Sequence, residues 1–271
     1  MSVDLITNVS SLMAEQNLDA TQLSLQNTFE QLSSGLRINS AADDAAGLAI
    51  SQSMNAQVQS YTVAQQNAND AVSMVQTADG SADQVESLLT RMRELSVEAQ
   101  NGTMSPDDVS DLNTEFQQDL SEIDRVTGDA NFNGTNLLAG AANTIDFQVG
   151  IDGTPSDLIS VQFGACDTNG LGVAGTTVTS AGIMTTIDTA LTTLNTNRAN
   201  FGAAMNRLQD ASSSIQSMQT NLSSALATVQ DVDVASATAN LARQQVLAQA
   251  GAAVLSQANQ TPQLALKLLG G

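Results

Sequence analysis

The chain has 271 residues, and its 28 acidic and 8 basic side chains give a formal net charge of −20. This charge argues against binding of nucleic acid and against adsorption to an anionic membrane, because both need basic side chains to neutralise phosphates. The absence of His excludes His-based acid–base catalysis and His metal ligation, and a single Cys permits no internal disulfide.

The first predicted element is an amphipathic helix over residues 1 to about 34. Its apolar side chains recur at helical spacing: Leu18, Leu25, Phe29, Leu32 and Leu36. The opposite face carries Gln, Asn, Ser and Thr with few charges, which suits burial against other copies better than exposure to water. This end of the chain lacks the basic and long apolar segments of a secretory signal, and no apolar run is long enough to span a membrane.

Two further helices are predicted after a break at residues 34–39. Ser40 is the predicted N-cap of the first of them, with Asp43 completing a capping box. Asn101-Gly102 ends that helix. Ser105-Pro106 starts the next one, as its cap and its first-turn proline.

One β region is predicted before the last long helices. Apolar residues alternate over 145–151 and over 159–163, with turn-forming residues between them, which predicts a β-hairpin that leans on the helices. Asn133-Gly134 predicts a turn ahead of the hairpin. Residues 164–182 are rich in Gly and Thr, and we expect an exposed loop or a further short strand pair there.

A further long helix is predicted over residues 187–229. Every seventh residue in it is apolar: Ile187, Leu194, Phe201, Leu208, Ile215, Leu222 and Val229. Such a repeat indicates a helix roughly 65 Å long, at a rise of ~1.5 Å per residue, that is packed against other long helices. A last, nearly charge-free helix follows residues 231–233, and Pro262 is predicted to break or kink it.

The layout of the chain predicts a polymer. Both ends are weakly charged amphipathic helices, and they can pair only if the acidic middle of the chain folds back on itself as a helical bundle. Their amide-rich faces favour burial against the same faces of other copies. Repeated burial of that kind gives an open helical polymer.

Two segments resemble a known family. Residues 32–50, LSSGLRINSAADDAAGLAI, closely resemble the N-terminal signature of bacterial flagellins, and residues 239–260 resemble the C-terminal signature. The resemblance covers roughly residues 1–140 and 180–271. It implies a mainly α fold, a long antiparallel helical rod or coiled-coil bundle with a small β-hairpin region, in a short form without the large outer domains.

The resemblance also implies a domain organisation and a function. Residues 1–39 and 231–271 would form a terminal-helix domain that lines a filament core, and residues 40–230 a rod domain that includes the β region at about 130–182. The protein would be an extracellular structural subunit of the bacterial flagellar filament, exported by the flagellar type III apparatus for swimming motility, with neither catalysis nor a cofactor. Its partners would be other flagellin copies, an export chaperone, and the filament cap and hook-associated proteins.

Three alternatives remain open at this point. A hook–filament junction protein shares the same end signatures. A receptor ligand that does not polymerise is a second alternative. An enzyme carried as an inserted protease domain is the third, and it is disfavoured because its metal motif needs His.

Functional residues follow from the same resemblance. The segment from Arg91 to Val97 resembles the patch that Toll-like receptor 5 contacts in many flagellins, which implies contacts by Arg91, Leu95 and Glu115. Thr90 departs from the Gln of the family pattern, and Leu95 also lies on the packing stripe of its helix. The residues predicted to polymerise the terminal helices are Leu18, Leu25, Phe29, Leu32, Leu247 and Val254.

Overall fold

The computed structural model describes the backbone of residues 8–269 and the side chains of residues 8–260. The helices of this part of the chain are α1 Val9–Ser34, α2 Ala45–Ala99, α3 Pro106–Asp129, α4 Ile183–Gln230 and α5 Val234–Leu269. Its strands are β1 Asn131–Phe132, β2 Thr135–Asn136, β3 Asn143–Gln148 and β4 Leu158–Phe163. The predicted fold class, mainly α with a small antiparallel β region, is confirmed. Residues 1–7 of the first predicted helix lie outside the described residues.

The described residues form two compact units. Unit 1 contains the residues up to Ala56 and those from Leu222 onward, and unit 2 is Gln57–Asn221. Both α2 and α4 contribute residues to each unit. Compared with the terminal domain predicted from the sequence, unit 1 also includes residues 40–56 and 222–230.

Unit 2 is held together by a seam of small residues packed with large ones. The side chains that α2 buries recur every three or four residues: Ala64, Ala68, Ala71, Val75, Ala78, Ala82, Val85, Leu89, Met92 and Leu95. The same core includes the large α4 side chains Ile187, Leu194, Phe201, Leu208 and Ile215. Alanines on one helix let the bulky side chains of the other interdigitate without overpacking. The heptad predicted for α4 is therefore buried from Ile187 to Ile215, whereas Leu222 and Val229 are half-buried in unit 1.

The start of α3 follows the prediction. The Ser105 hydroxyl accepts the Asp108 N–H, and the Asp108 carboxylate accepts the Ser105 N–H at 3.0 Å, with Pro106 at the first position. These contacts pair backbone groups that have no partner within the helix. The apolar face of α3, including Phe116 and Ile123, then packs into the core of unit 2.

The start of α2 differs from the prediction. Asp43 does accept the N–H groups of Asn39 and Ser40, at 3.1 and 2.9 Å, but residues 41–43 form a turn rather than a helix. The helix begins at Ala45, where the Asp44 carboxylate accepts the Gly47 N–H at 2.9 Å. Ser40 was therefore the wrong N-cap, because the second of two adjacent carboxylates caps the helix.

Two antiparallel hairpins follow α3. The chain reverses between β1 and β2 at Asn133 and Gly134, which both have positive φ, 48° and 80°. This confirms the predicted turn, since such backbone angles favour Asn and Gly. The one predicted hairpin is also confirmed, because β3 pairs with β4 and places Ile145 opposite Val161.

The segment over residues 164–182 is not the exposed loop that its composition predicted. It has no strand, and it buries the side chains of Cys166, Thr168, Leu171, Val173 and Val178. Three polar side chains of α3 hold it in place, and one of them is Asn113, which accepts the Val178 N–H at 3.2 Å. Asp124 accepts both the N–H and the hydroxyl of Thr168, at 3.0 and 3.1 Å, and Gln117 donates to the Thr176 carbonyl oxygen at 2.8 Å. Isolated apolar residues among glycines show no periodicity, so their burial was missed.

In unit 1, α1 and α5 pack side by side in antiparallel orientation. The Thr28 hydroxyl donates to Gln244 Oε1 at 3.0 Å near one end of the pair, and the Ser11 hydroxyl donates to Asn259 Oδ1 at 2.7 Å near the other. Pro262 does not end α5, which continues to Leu269, so of the predicted break or kink the break is wrong and the kink stays a prediction. A proline removes one backbone donor, and the helix can resume beyond it.

None of the helices in the described part of the chain is both long and apolar enough to cross a membrane.

Candidate functional site

The α1–α5 pair carries an unusual density of exposed apolar side chains. Of the thirteen large apolar side chains that are exposed among the described residues, nine lie on these two helices. They are Val9, Leu12, Met13, Leu23 and Phe29 on α1, and Val234, Val246, Leu247 and Val254 on α5. Apolar surface concentrated on one element in this way marks an interaction site.

The six residues predicted for polymerisation divide between the surface and the helix–helix seam. Phe29, Leu247 and Val254 are 49%, 52% and 58% exposed, whereas Leu18, Leu25 and Leu32 are half-buried. Leu18 lines a shallow groove between α1 and α5 together with Leu247 and Val254. The sequence prediction missed Leu12, Met13, Leu23 and Val246, because these side chains are out of phase with the stripe that was followed.

The two units differ in their net charge. Unit 2 contains 20 acidic and 5 basic residues, a net charge of −15, and unit 1 contains the remaining 8 acidic and 3 basic residues. Every ion pair formed by the described residues lies in unit 2, where Arg198 of α4 pairs with Asp79 and Asp83 of α2 at 3.1 Å and also contacts Glu86. The apolar face of unit 1 therefore has few charges beside it that burial would desolvate.

The residues predicted to contact a receptor are only partly at the surface. The Arg91 guanidinium donates to Glu115 Oε1 at 2.7 and 2.9 Å and pairs with Glu94 at 3.3 Å, with close to half of the Arg91 side chain exposed. Leu95 is fully buried in the core of unit 2. The structure thus brings Arg91 and Glu115 together in an exposed pair and places Leu95 beneath the surface.

Acidic side chains outnumber basic ones around the pair of Arg91 and Glu115. Hydrogen bonds to Glu115 and then to Glu94 raise the pKa of the Arg91 guanidinium. Partial burial, followed by the nearby Glu115 charge, raises the pKa of the Asp119 carboxyl, and Arg91 opposes this shift. One guanidinium therefore compensates several carboxylates, and the pair depends on Arg91 for its charge balance.

Cys166 is a core thiol. It is fully buried, and its Sγ lies 3.5 Å from Asn197 Nδ2. Burial raises the pKa of the thiol, so it stays protonated and unreactive at neutral pH. The described residues contain no group of three His, Cys, Asp or Glu side chains placed to hold a metal ion.

Comparison with protein families identifies the chain. The model of the bacterial flagellin N-terminal helical region matches residues 5–143, and that of the bacterial flagellin C-terminal helical region matches residues 184–269. The chain belongs to the bacterial flagellin family. These matches confirm the resemblance seen in the two end signatures.

Two relatives of this flagellin have nearly the same length. It is 39% identical to a flagellin of Halalkalibacterium halodurans over 97% of this chain and 98% of the relative. It is 36% identical to the 30.7 kDa flagellar filament core protein of Treponema maltophilum over the same shares. The crystal structure of Bacillus cereus flagellin is 31% identical, with a TM-score of 0.48 over 59% of this chain and 94% of that one.

Family membership decides several predictions. This flagellin is a structural subunit of the bacterial flagellar filament, it is extracellular, and it is not an enzyme. With 271 residues it is a short form without large outer domains. The comparisons favour the filament subunit over the hook–filament junction protein.

Proposed function

We propose that unit 1 is the part of this flagellin through which subunits polymerise, with α1 and α5 lining the filament core. The terminal-helix and rod domains predicted from the sequence then correspond in role to units 1 and 2. The supporting observation is the set of nine exposed apolar side chains on α1 and α5. Burying such surface between copies is favourable by about 25 cal/mol per Å².

Charge supports the same assignment. Transferring a charged group out of water is costly unless it is paired, so a filament core suits the weakly charged helices α1 and α5. Unit 2, with its net charge of −15, keeps its carboxylates hydrated if it faces solvent.

The exposed face of α5 can be tested with one matched pair of substitutions. Val254→Asp places a carboxylate on the terminal face, which is the set of nine exposed apolar side chains of α1 and α5. The substitution is expected to raise the critical concentration for seeded polymerisation at least about tenfold, because burial would leave that charge unpaired. Sedimentation after addition of filament fragments measures this. Val63→Asp is the control, since Val63 of unit 2 is 54% exposed and Val254 is 58% exposed. Equal effects of the two substitutions would contradict the assignment of polymerisation to unit 1.

We further propose that the other predicted partners of this flagellin bind the same terminal face. An export chaperone would cover the apolar side chains of α1 and α5 before export through the flagellar type III apparatus. The filament cap and hook-associated proteins would contact them at the two ends of the polymer. Apolar surface of this extent favours association wherever no flagellin neighbour covers it.

Recognition by Toll-like receptor 5 is proposed for the exposed pair of Arg91 and Glu115. Arg91→Ala is expected to weaken binding of the receptor ectodomain about tenfold or more, since charged interface hydrogen bonds contribute at that level. Surface plasmon resonance with monomeric flagellin measures this. Arg125→Ala is the control, because Arg125 is an exposed, ion-paired arginine of the neighbouring helix α3. Unchanged binding of Arg91→Ala would remove this pair from the receptor contact.

A further inference from the structure

The two turns at the inner ends of α1 and α5 bind each other. The Arg37 N–H donates to the Gln230 carbonyl oxygen at 2.6 Å, and the Val232 N–H donates to the Gly35 carbonyl oxygen at 3.0 Å. These bonds form a short antiparallel bridge between the turn that follows α1 and the turn that precedes α5. The Arg37 guanidinium adds a third bond, to the Val229 carbonyl oxygen at 2.6 Å. We call these three bonds the Arg37 clamp.

The clamp completes the C-terminal end of α4. The last four carbonyl groups of a helix have no partner within it, and they carry the negative end of its dipole. The last turn of α4 has no basic residue of its own. Arg37 supplies two donors to that end, one of them charged, and charged donors form the stronger hydrogen bonds.

The other side of the clamp is attached to α1. Gly35 ends α1 with a left-handed backbone, φ 75°, and its N–H donates to the Gln31 carbonyl oxygen at 2.9 Å. The Gln31 side chain in turn donates to the Arg37 carbonyl oxygen at 3.1 Å. Arg37 therefore cannot move along α4 without disturbing the last turn of α1.

Packing between α1 and α5 does little to define their alignment. Among the described side chains of the two helices, only Ala14, Thr28 and Ala237 are buried. The cross-helix hydrogen bonds of Thr28 and Ser11 are made to amide side chains, and both helices offer further hydroxyl and amide groups one turn away. Apart from the contact of Leu18 with Gly251 and the hydrogen bond from the Asn8 side chain to the Ala258 carbonyl oxygen, a slide of one helix by a turn, about 5.4 Å, thus meets little opposition.

We propose that the Arg37 clamp sets the axial register of α1 against α5, which makes Arg37 a positioning residue for assembly. The assembly part of this proposal rests on the proposed role of unit 1. In the observed register Leu18, Leu247 and Val254 line one groove. A slide of one turn changes the position of Leu18 relative to Leu247 and Val254 and misaligns the face that a neighbouring copy has to match.

Disulfide trapping in the full-length chain measures directly which register α1 and α5 adopt. A Cβ atom added at Gly251 would lie 3.9 Å from the Leu18 Cβ atom, a separation suited to a disulfide. The native-register pair is therefore Leu18→Cys with Gly251→Cys. The slipped-register pairs combine Leu18→Cys with Leu247→Cys or with Leu255→Cys, one turn to either side. Non-reducing gels separate cross-links within one chain from those between chains, and Cys166 is buried in unit 2.

Arg37→Ala is expected to lower the yield of the native-register disulfide and to raise that of a slipped pair. Arg37→Lys, which keeps the charge but not the guanidinium fork, is expected to give an intermediate result. Arg243→Ala is the control, since the Arg243 side chain donates to Asn240 of its own helix α5. Unchanged yields in both Arg37 variants, with unit 2 still folded, would overturn the register role.

A polymerisation assay distinguishes a failure of the register proposal from a failure of the proposed role of unit 1. Arg37→Ala is expected to raise the critical concentration about tenfold, the effect of losing a charged hydrogen bond. Forming the native-register disulfide in that variant is expected to restore assembly. A shift in disulfide yields without any loss of assembly would keep the register role and argue against unit 1 as the polymerising part. Lost assembly that the disulfide does not restore, while the same disulfide is harmless beside Arg37, would overturn the positioning role.

Discussion

Deletion of residues 235–271 is expected to abolish filament formation and to leave unit 2 folded. The deletion removes nearly all of α5 and with it three exposed apolar side chains of the terminal face, Val246, Leu247 and Val254. It also uncovers the side of α1 that α5 covers, so a short, hydroxyl-rich helix is left without a partner. The buried core of unit 2 lies within residues 64–215 and loses no residue.

Two measurements on the truncated chain decide this. Seeded sedimentation and negative-stain microscopy are expected to show no filaments at concentrations where the full-length chain polymerises. Circular dichroism is expected to show a helical protein whose unit 2 melts at the temperature seen in the full-length chain. Filaments formed by the truncated chain would remove α5 from the assembly mechanism, and a lost melting transition would show that unit 2 depends on α5.

Phe201→Ala is expected to destabilise unit 2 by about 3–5 kcal/mol, the range for a buried aromatic side chain cut back to alanine. Phe201 lies in the middle of α4 with no exposed surface. Its ring centroid is 5.6 Å from that of Phe163 on β4, so the substitution also removes a contact between the helix and the hairpin. Denaturant unfolding of the monomer, followed by circular dichroism, measures the change in the free energy of unfolding.

Phe29→Ala is the matched control for this loss of a phenyl ring. Phe29 lies on α1 and is 49% exposed, so its truncation is expected to change the free energy of unfolding by no more than about 0.5 kcal/mol. If unit 1 polymerises the protein, the same substitution weakens assembly. The two variants thus separate a side chain that holds unit 2 together from one that serves contacts between copies. Equal destabilisation by both would contradict the exposure of Phe29.

Local and periodic signals in the sequence were sufficient for most of the helices, for the turn at Asn133-Gly134 and for the β3–β4 hairpin. The start of α3 can be predicted from Ser105, Pro106 and Asp108, because their contacts span only three residues. The heptad of α4 predicted the residues that are buried from Ile187 to Ile215. Such signals succeed because capping, turn chemistry and amphipathic spacing act over a few residues or one helical turn.

Predictions failed where several arrangements satisfy the same local chemistry. Ser40 and Asp44 are both good helix-capping residues, and the sequence did not show which one would cap α2. The Gly- and Thr-rich segment over 164–182 has the composition of an exposed loop, yet α3 provides Asp124 and Gln117 to bind it and a core that accepts its apolar side chains. Burial of that kind depends on a surface more than thirty residues away in the chain.

Residue order alone was enough to predict the family, the mainly α fold and the two apolar chain ends, because end signatures, periodicity and charge can all be recognised without coordinates. The packing of the helices determined which side chains stay exposed and which distant residues come into contact. It buried Leu95 and left Arg91 and Glu115 exposed together, and it placed Arg37 on the end of α4, 192 positions away. Contacts between distant segments depend on how the helices pack, and a pattern read along one helix contains no information about its neighbours.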